Sequence, residues 1–278
     1  MIPDTFLHFA HQGGGLLAPE NTLAAFELGA TYQPDALELD IQMTRDGQIV
    51  VMHDPTVDRT TDGHGPVSGF TLAELQRLDA GYRFTPDGGR TYPFRGQGVT
   101  VPTLHEVFER FPDKLINVDL KEPISGKEER LWQTIQDARA ADRVIVGSFV
   151  CASLRRFRRL AGGVVPTSAC PGEVTAFDFC CRAYATRLMR PAYQALQVPE
   201  VHRGIRIVSP ASIRAAHRLG LKVHVWTVNE SADMERLLSW GVDGIMTDRP
   251  DRLADILRRR SQGASEPHPP REAGVEGL

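Results

Sequence analysis

The chain has 278 residues, 41% of them hydrophobic, enough to bury one large core or two small ones. Its net charge of −3 leaves no basic footprint for a nucleic acid, and no apolar run nears the ~20 residues that cross a bilayer. Met1–Ala10 lacks a basic start followed by a long apolar stretch, so the expected setting is the cytoplasm, without stable membrane insertion.

In chain order, short apolar strands alternate with helical patterns. Strands are expected at Leu7–Ala10, Ala36–Met43, Leu115–Leu120, Arg143–Phe149, Val164–Thr167, either Leu196–Val198 or Ile205–Val208, Lys222–Val228 and Gly244–Thr247. Helices are expected at Thr22–Leu28, Leu72–Leu78, Leu104–Phe111, Glu129–Ala140, Ser153–Leu160, Pro210–Leu219, Ala232–Trp240 and Arg252–Arg260. Eight strands interleaved with helices read as an α/β TIM (β/α)8 barrel spanning 1–260. The Gly-, Pro- and Thr-rich stretch at about 60–100 reads as a small insertion over the barrel mouth. Residues 261–278 are nearly devoid of apolar side chains and read as a disordered tail. Cys151, Cys170, Cys180 and Cys181 show neither C-x-x-C spacing nor finger-type His partners, so reduced thiols are expected, with no zinc and no disulfide framework.

The chemistry concentrates near the start. Residues 36–43 alternate with period two, putting Leu37, Leu39 and Ile41 on one face and Glu38, Asp40 and Gln42 on the other. Asp46-Gly47 then signals a two-residue hairpin turn into Ile49–Met52. Pairing Arg45 with Gln48 would set Asp40 opposite His53. In Asn117-Val118-Asp119-Leu120-Lys121, a third carboxylate and an ammonium share one strand face. Carboxylates so close repel one another unless a cation lies between them, and an oxygen-rich set suits Mg²⁺ or Ca²⁺. His11-Gln12-Gly13-Gly14 follows the first strand, where glycines let backbone N–H groups approach a phosphate. Pro19-Glu20-Asn21-Thr22 combines a helix N-cap with a possible site carboxylate, and Trp226 stands at a strand end at the barrel top.

These motifs resemble the glycerophosphodiester phosphodiesterase family. The likeness runs in order through His11-Gln12-Gly13, Pro19-Glu20-Asn21-Thr22, Glu38-Leu39-Asp40, His53-Asp54, Asp58-Arg59-Thr60-Thr61, Asp119-Leu120-Lys121, Trp226-Thr227-Val228-Asn229 and Asp243 to Pro250. The resemblance implies a TIM barrel with an insertion after the second histidine. It also implies metal ligands at Glu38, Asp40 and Asp119, acid–base catalysis by His11 and His53, and a phosphate contact from Lys121; Gln12, Glu20 and Trp226 are expected to add substrate or phosphate contacts. Two positions depart from the family pattern: Gln12 stands where arginine is usual, removing a fixed cation, and Asp119 where glutamate is more common.

The expected function is metal-dependent hydrolysis of a glycerophosphodiester to sn-glycerol 3-phosphate and an alcohol. One alternative is a lysophospholipase D that takes lysophospholipids on an apolar, arginine-flanked surface along Phe177–Tyr193. Another is a barrel that binds phosphodiesters without turning them over.

Overall fold

Side chains alternate across each strand, so a run that is apolar on one face and mixed on the other fixes which face meets the helices. The computed structural model describes residues 2–121 and 125–263. In chain order the strands are β1 Leu7–His11, β2 Ala36–Met43, β3 Ile49–Val51, β4 Leu115–Leu120, β5 Val144–Gly147, β6 Ala195–Pro199, β7 Val201–His202, β8 Ile205–Arg206, β9 Lys222–Trp226 and β10 Gly244–Thr247. The helices are α1 Leu23–Ala30, α2 Leu72–Leu75, α3 Leu104–Arg110, α4 Lys127–Asp137, α5 Cys151–Leu160, α6 Pro171–Arg182, α7 Pro210–His217, α8 Ser231–Trp240 and α9 Pro250–Gly263.

Parallel pairing runs β5–β4–β2–β1–β10–β9–β6. The ring closes through residues 167–168, with parallel bridges from Val146 to Thr167 and from Ser168 to Ala195. This is a TIM barrel, as expected. The fifth strand is shorter than Val164–Thr167 predicts, because Pro166 has no N–H for the ladder and Val164 is exposed. Two further assignments follow from local chemistry, the first of them choosing Leu196–Val198 over Ile205–Val208. The sixth strand is Ala195–Pro199, whereas Ile205 belongs to a small hairpin, β7–β8, whose turn residues Arg203 and Gly204 are both left-handed. Helix α6 begins at Pro171, a residue suited to a first helical turn, and the strand-and-helix pattern did not separate it from its neighbours. The last helix reaches Gly263, three residues into the stretch read as tail; 264–278 lie outside the described residues.

The registers assign the barrel interior. Leu7, Phe9, Ala36, Ile145, Ala195 and Met246 fill its lower part. The next inward positions on the same strands are His11, Glu38 and Asp40, Asn117 and Asp119, and Gln197. Leu37, Leu39, Ile41, Ile116, Val118 and Leu120 face outward onto Phe26, Leu104, Phe108, Leu131 and Phe157 of the surrounding helices. Each such fully buried side chain stabilises the fold by about 1.5–3 kcal/mol, so polar groups can be carried at the barrel mouth without loss of the fold.

The β2–β3 hairpin is registered one residue away from the expected pairing. Ile41 pairs with Val51 and Met43 with Ile49, and Thr44 and Gln48 close a three-residue turn in which Gly47 takes a left-handed φ of 76°. Asp40 is therefore opposite Met52, whose N–H donates to the Asp40 carbonyl at 2.9 Å. His53 lies beyond the end of the strand, so the loop, and not the pleat, delivers it to the barrel mouth. The residues after β3 pack on a small core of their own, with Val57, Val67, Leu75 and Val101 around Val50 and Met52.

The cysteine expectation is also corrected. Cys151 starts α5 and Cys170 caps α6, and the adjoining loops at the barrel mouth bring their Cα atoms to 5.2 Å, within disulfide reach; the two are joined. Cys180 and Cys181 are free thiols. Because this bond closes a loop with a sequence separation of 19, replacing Cys170 by alanine should lower stability by about 3 kcal/mol. Urea unfolding of the variant and of wild type with and without dithiothreitol measures this, and an unchanged midpoint would show that the bridge adds nothing.

Candidate active site

At the mouth, cross-strand register places Asp40 directly beside Asp119, with Glu38 beside Asn117. Lys121 reaches back from the end of β4 and puts its Nζ 2.7 Å from Asp40 Oδ1 and 2.6 Å from Asp119 Oδ2. One ammonium thus bridges two carboxylates. The third, Glu38, accepts the Gln12 N–H at 3.2 Å and lies 3.7 Å from His11 Nε2. Burial and the neighbouring Asp40 charge push the Glu38 carboxyl up to about 8. Burial also raises Asp119, with Asp40 adding to the effect and Lys121 opposing it. Asp40 moves the other way: burial disfavours its charge, but Lys121 and then His53 outweigh it and hold the carboxyl low. Among the described residues, no three His, Cys, Asp or Glu side chains close to metal-cluster spacing.

Each histidine is held by a carboxylate on its Nδ1, which leaves Nε2 for proton transfer. His11 Nδ1 is 2.6 Å from Asp248 Oδ1, and Asp248 is in turn gripped by Asn229, whose Nδ2 donates to Oδ2 at 2.9 Å and whose Oδ1 accepts the Asp248 N–H at 2.9 Å. Burial alone would lower the His11 imidazole, but Glu38 and Asp248 more than offset it and raise it to about 9. His53 Nδ1 is 2.7 Å from Asp54 Oδ1. Arg59 then donates to Asp54 Oδ2 at 2.7 Å and, through both Nη atoms, to Glu20 at 2.6 and 2.7 Å. The Arg59 hydrogen bonds hold the Asp54 carboxyl down to about 2.

His11, Glu38, Asp40, His53, Asp119, Lys121 and Trp226 line one cavity of about 660 Å³. Glu20 and Gln12 do not. Glu20 is the far end of the Arg59 clamp, and the Gln12 carboxamide donates to Asp40 Oδ2 at 2.7 Å. Asp248, Asn229, Asp54 and Arg59 are the residues that site reasoning from sequence left out. Their signal was present, since Asp54 follows a site histidine and Asp248 follows the last strand. The polar end of the cavity meets an apolar wall of Ala169, Pro171, Val174, Val198, Ile205 and Ile207. This wall differs from the surface expected along Phe177–Tyr193: Phe179, Tyr184 and Leu188 of that segment are exposed as expected while Phe177 and Tyr193 are buried in the core, and only Asp178 of the segment faces the cavity.

Residues 11–252 match the model of the glycerophosphoryl diester phosphodiesterase family. The chain belongs to that family. A glycerophosphodiester phosphodiesterase of Caldanaerobacter subterraneus is 37% identical over 91% of this chain and 98% of its own length. One from Bacillus subtilis is 34% identical over 90% and 86%. The structure of an Oleispira antarctica phosphodiesterase in complex with the product sn-glycerol-3-phosphate superposes with a TM-score of 0.72 at 25% identity, covering 91% of this chain and 96% of that one. Among the described residues of this family member, no helix is long and apolar enough to cross a membrane.

The raised His11 has a readable consequence for stability. A group whose folded value lies above its free value stabilises the fold while protonated, so its contribution is complete below pH 6.5 and lost as pH rises through about 9. Asp248→Asn removes the carboxylate on Nδ1, and the melting temperature of that variant should fall less steeply than wild type across this window. Parallel slopes for the two proteins would show that Asp248 does not hold the proton on His11.

Proposed function

We propose that the protein hydrolyses glycerophosphodiesters to sn-glycerol 3-phosphate and an alcohol, with help from a divalent cation at Glu38, Asp40 and Asp119. The observation that carries this reading is the placement of two carboxylate-held histidines around three buried carboxylates in one cavity. Hard oxygen donors fit Mg²⁺ or Ca²⁺, and Asp40 and Asp119 already share one positive group, the Lys121 ammonium. When bound, such a cation neutralises charge that builds on the phosphate oxygens in the transition state.

The chain's own groups divide the proton work. His11, held at Nδ1 by Asp248 with Nε2 left for proton transfer, serves as the acid that protonates the departing alkoxide oxygen. His53, oriented by Asp54, takes the proton from the attacking O–H as its oxygen bonds to phosphorus and the P–O bond to the departing alcohol breaks; water as attacker gives sn-glycerol 3-phosphate directly, and the substrate's own glycerol hydroxyl gives a cyclic phosphate that a second attack by water opens to the same product. Lys121, at the cavity edge, supplies positive charge to the phosphate, and Trp226 closes the top beside Phe149, ring centroids 5.8 Å apart. A second reading, hydrolysis of a lysophospholipid, draws on the apolar wall, because the same diester with an acyl chain attached would fill the part of the cavity that glycerol leaves.

The test is turnover of glycerophosphocholine and of a lysophosphatidylcholine by metal-stripped protein, with Mg²⁺ or Ca²⁺ restored. Activity should return only with the cation, and His11→Ala and His53→Ala should each lower kcat by about 10²–10⁴-fold while the fold survives. Full activity after exhaustive chelation defeats the metal-dependent reading, and an active double histidine variant defeats the acid–base assignment. Preference for the acylated substrate would select the second reading.

A further inference from the structure

Gln12 touches both carboxylates that open the site. Its backbone N–H donates to Glu38 Oε2 at 3.2 Å, and its carboxamide Nε2 donates to Asp40 Oδ2 at 2.7 Å. Asn21 completes the arrangement: its Nδ2 donates to the same Asp40 Oδ2 at 2.9 Å, its Oδ1 accepts the Asp40 N–H at 3.1 Å, and its own N–H donates to the Gln12 carbonyl at 3.0 Å. Both residues are buried, and both hold left-handed backbone, with φ of 52° at Gln12 and 58° at Asn21. Residues other than glycine take that conformation seldom, and it persists here because both ends of each residue are tied down. The Gln12 side chain is spent on Asp40 and does not line the cavity where a phosphate would lie.

The kind of donor decides what this clamp does. Two amides on Oδ2 orient Asp40 without cancelling its charge, and they leave Oδ1 as the oxygen facing Lys121. A guanidinium at position 12 would instead form an ion pair with the same carboxylate and compete with any cation for it. We propose that Gln12 is a positioning residue for divalent-cation binding, a neutral clamp that presets Glu38 and Asp40, and that it is not a phosphate contact. The inference rests on the metal-dependent reading above. It assigns this chain a site in which Lys121 and His11 stand beside the carboxylates as positive groups and position 12 adds none.

Calorimetric titration of the full chain with Mg²⁺ alone and with Ca²⁺ alone tests this directly. Gln12→Met keeps length and volume but has no donor, and it should weaken cation binding by about 10-fold or more, the usual effect of removing a group that orients a metal ligand. Gln12→Arg should weaken it further, and Gln12→Asn, which keeps an amide and tolerates left-handed backbone, should fall between wild type and Met. The Asn variant decides the matter if Met does not fold. Kinetics with glycerophosphocholine at several cation concentrations give the second readout: the loss should appear in the cation concentration for half-maximal rate and not in the substrate KM. Equal cation Kd values for wild type and both conservative variants, or a rise in substrate KM with cation Kd unmoved, would overturn the role of Gln12. A wild-type chain that binds neither cation would overturn both this inference and the metal-dependent reading.

Discussion

Mutual repulsion among Glu38, Asp40 and Asp119 is the constraint around which the barrel mouth is arranged. Carboxylates on adjacent strands, buried from water, cannot all stay ionised without compensation. The compensation comes from Lys121 between Asp40 and Asp119, from His11 near Glu38, and from amide donors of Gln12 and Asn21. The elevated Glu38 and the elevated His11 are two sides of one balance, since each lies near the other's charge. The apolar layer below, from Leu7 to Met246, anchors the strands firmly enough to bear that strain.

The two histidines are built on one plan from unrelated parts of the chain. His11 sits at the end of a strand and draws its carboxylate from the residue just after the last strand, with Asn229 as the brace. His53 sits on a loop and draws its carboxylate from the next residue, with Arg59 and Glu20 as the brace. A loop residue needs more support than a strand residue to be held in register, and the four-membered chain from Glu20 to His53 supplies it. Glu20 thereby joins the helix-start segment after β1 to the segment after β3.

Most of the barrel was legible in the amino-acid order because strand alternation and helix caps are local. Glu38, Asp40 and Asp119 could be grouped from period-two spacing, and the crossed pair Asp40–Asp119 bears out the shared face. What failed was settled by contacts distant in sequence or by a single residue of turn geometry. The β2–β3 register slipped because Gly47 made a three-residue turn where Asp-Gly suggested two. The disulfide was invisible because its cysteines carry no spacing signature and meet only through two neighbouring loops. The roles of Glu20 and Gln12 were displaced for the same reason: a carboxylate and an amide beside a motif look alike whether they face a ligand or another side chain.

Barrel closure has a consequence for motion. All seven strands in the parallel order are joined to at least one neighbour by ladders of three or more paired positions, whereas the join across residues 167–168 rests on one bridge to each side. A cooperative sheet yields first where its ladders are shortest, so partial opening of this barrel begins at that seam. The seam runs through Ser168 and Ala169, which are wall residues of the cavity, and the Cys151–Cys170 bond lies immediately beyond it. The covalent link therefore acts as a rivet that keeps breathing of the sheet from widening the chamber where the diester would lie.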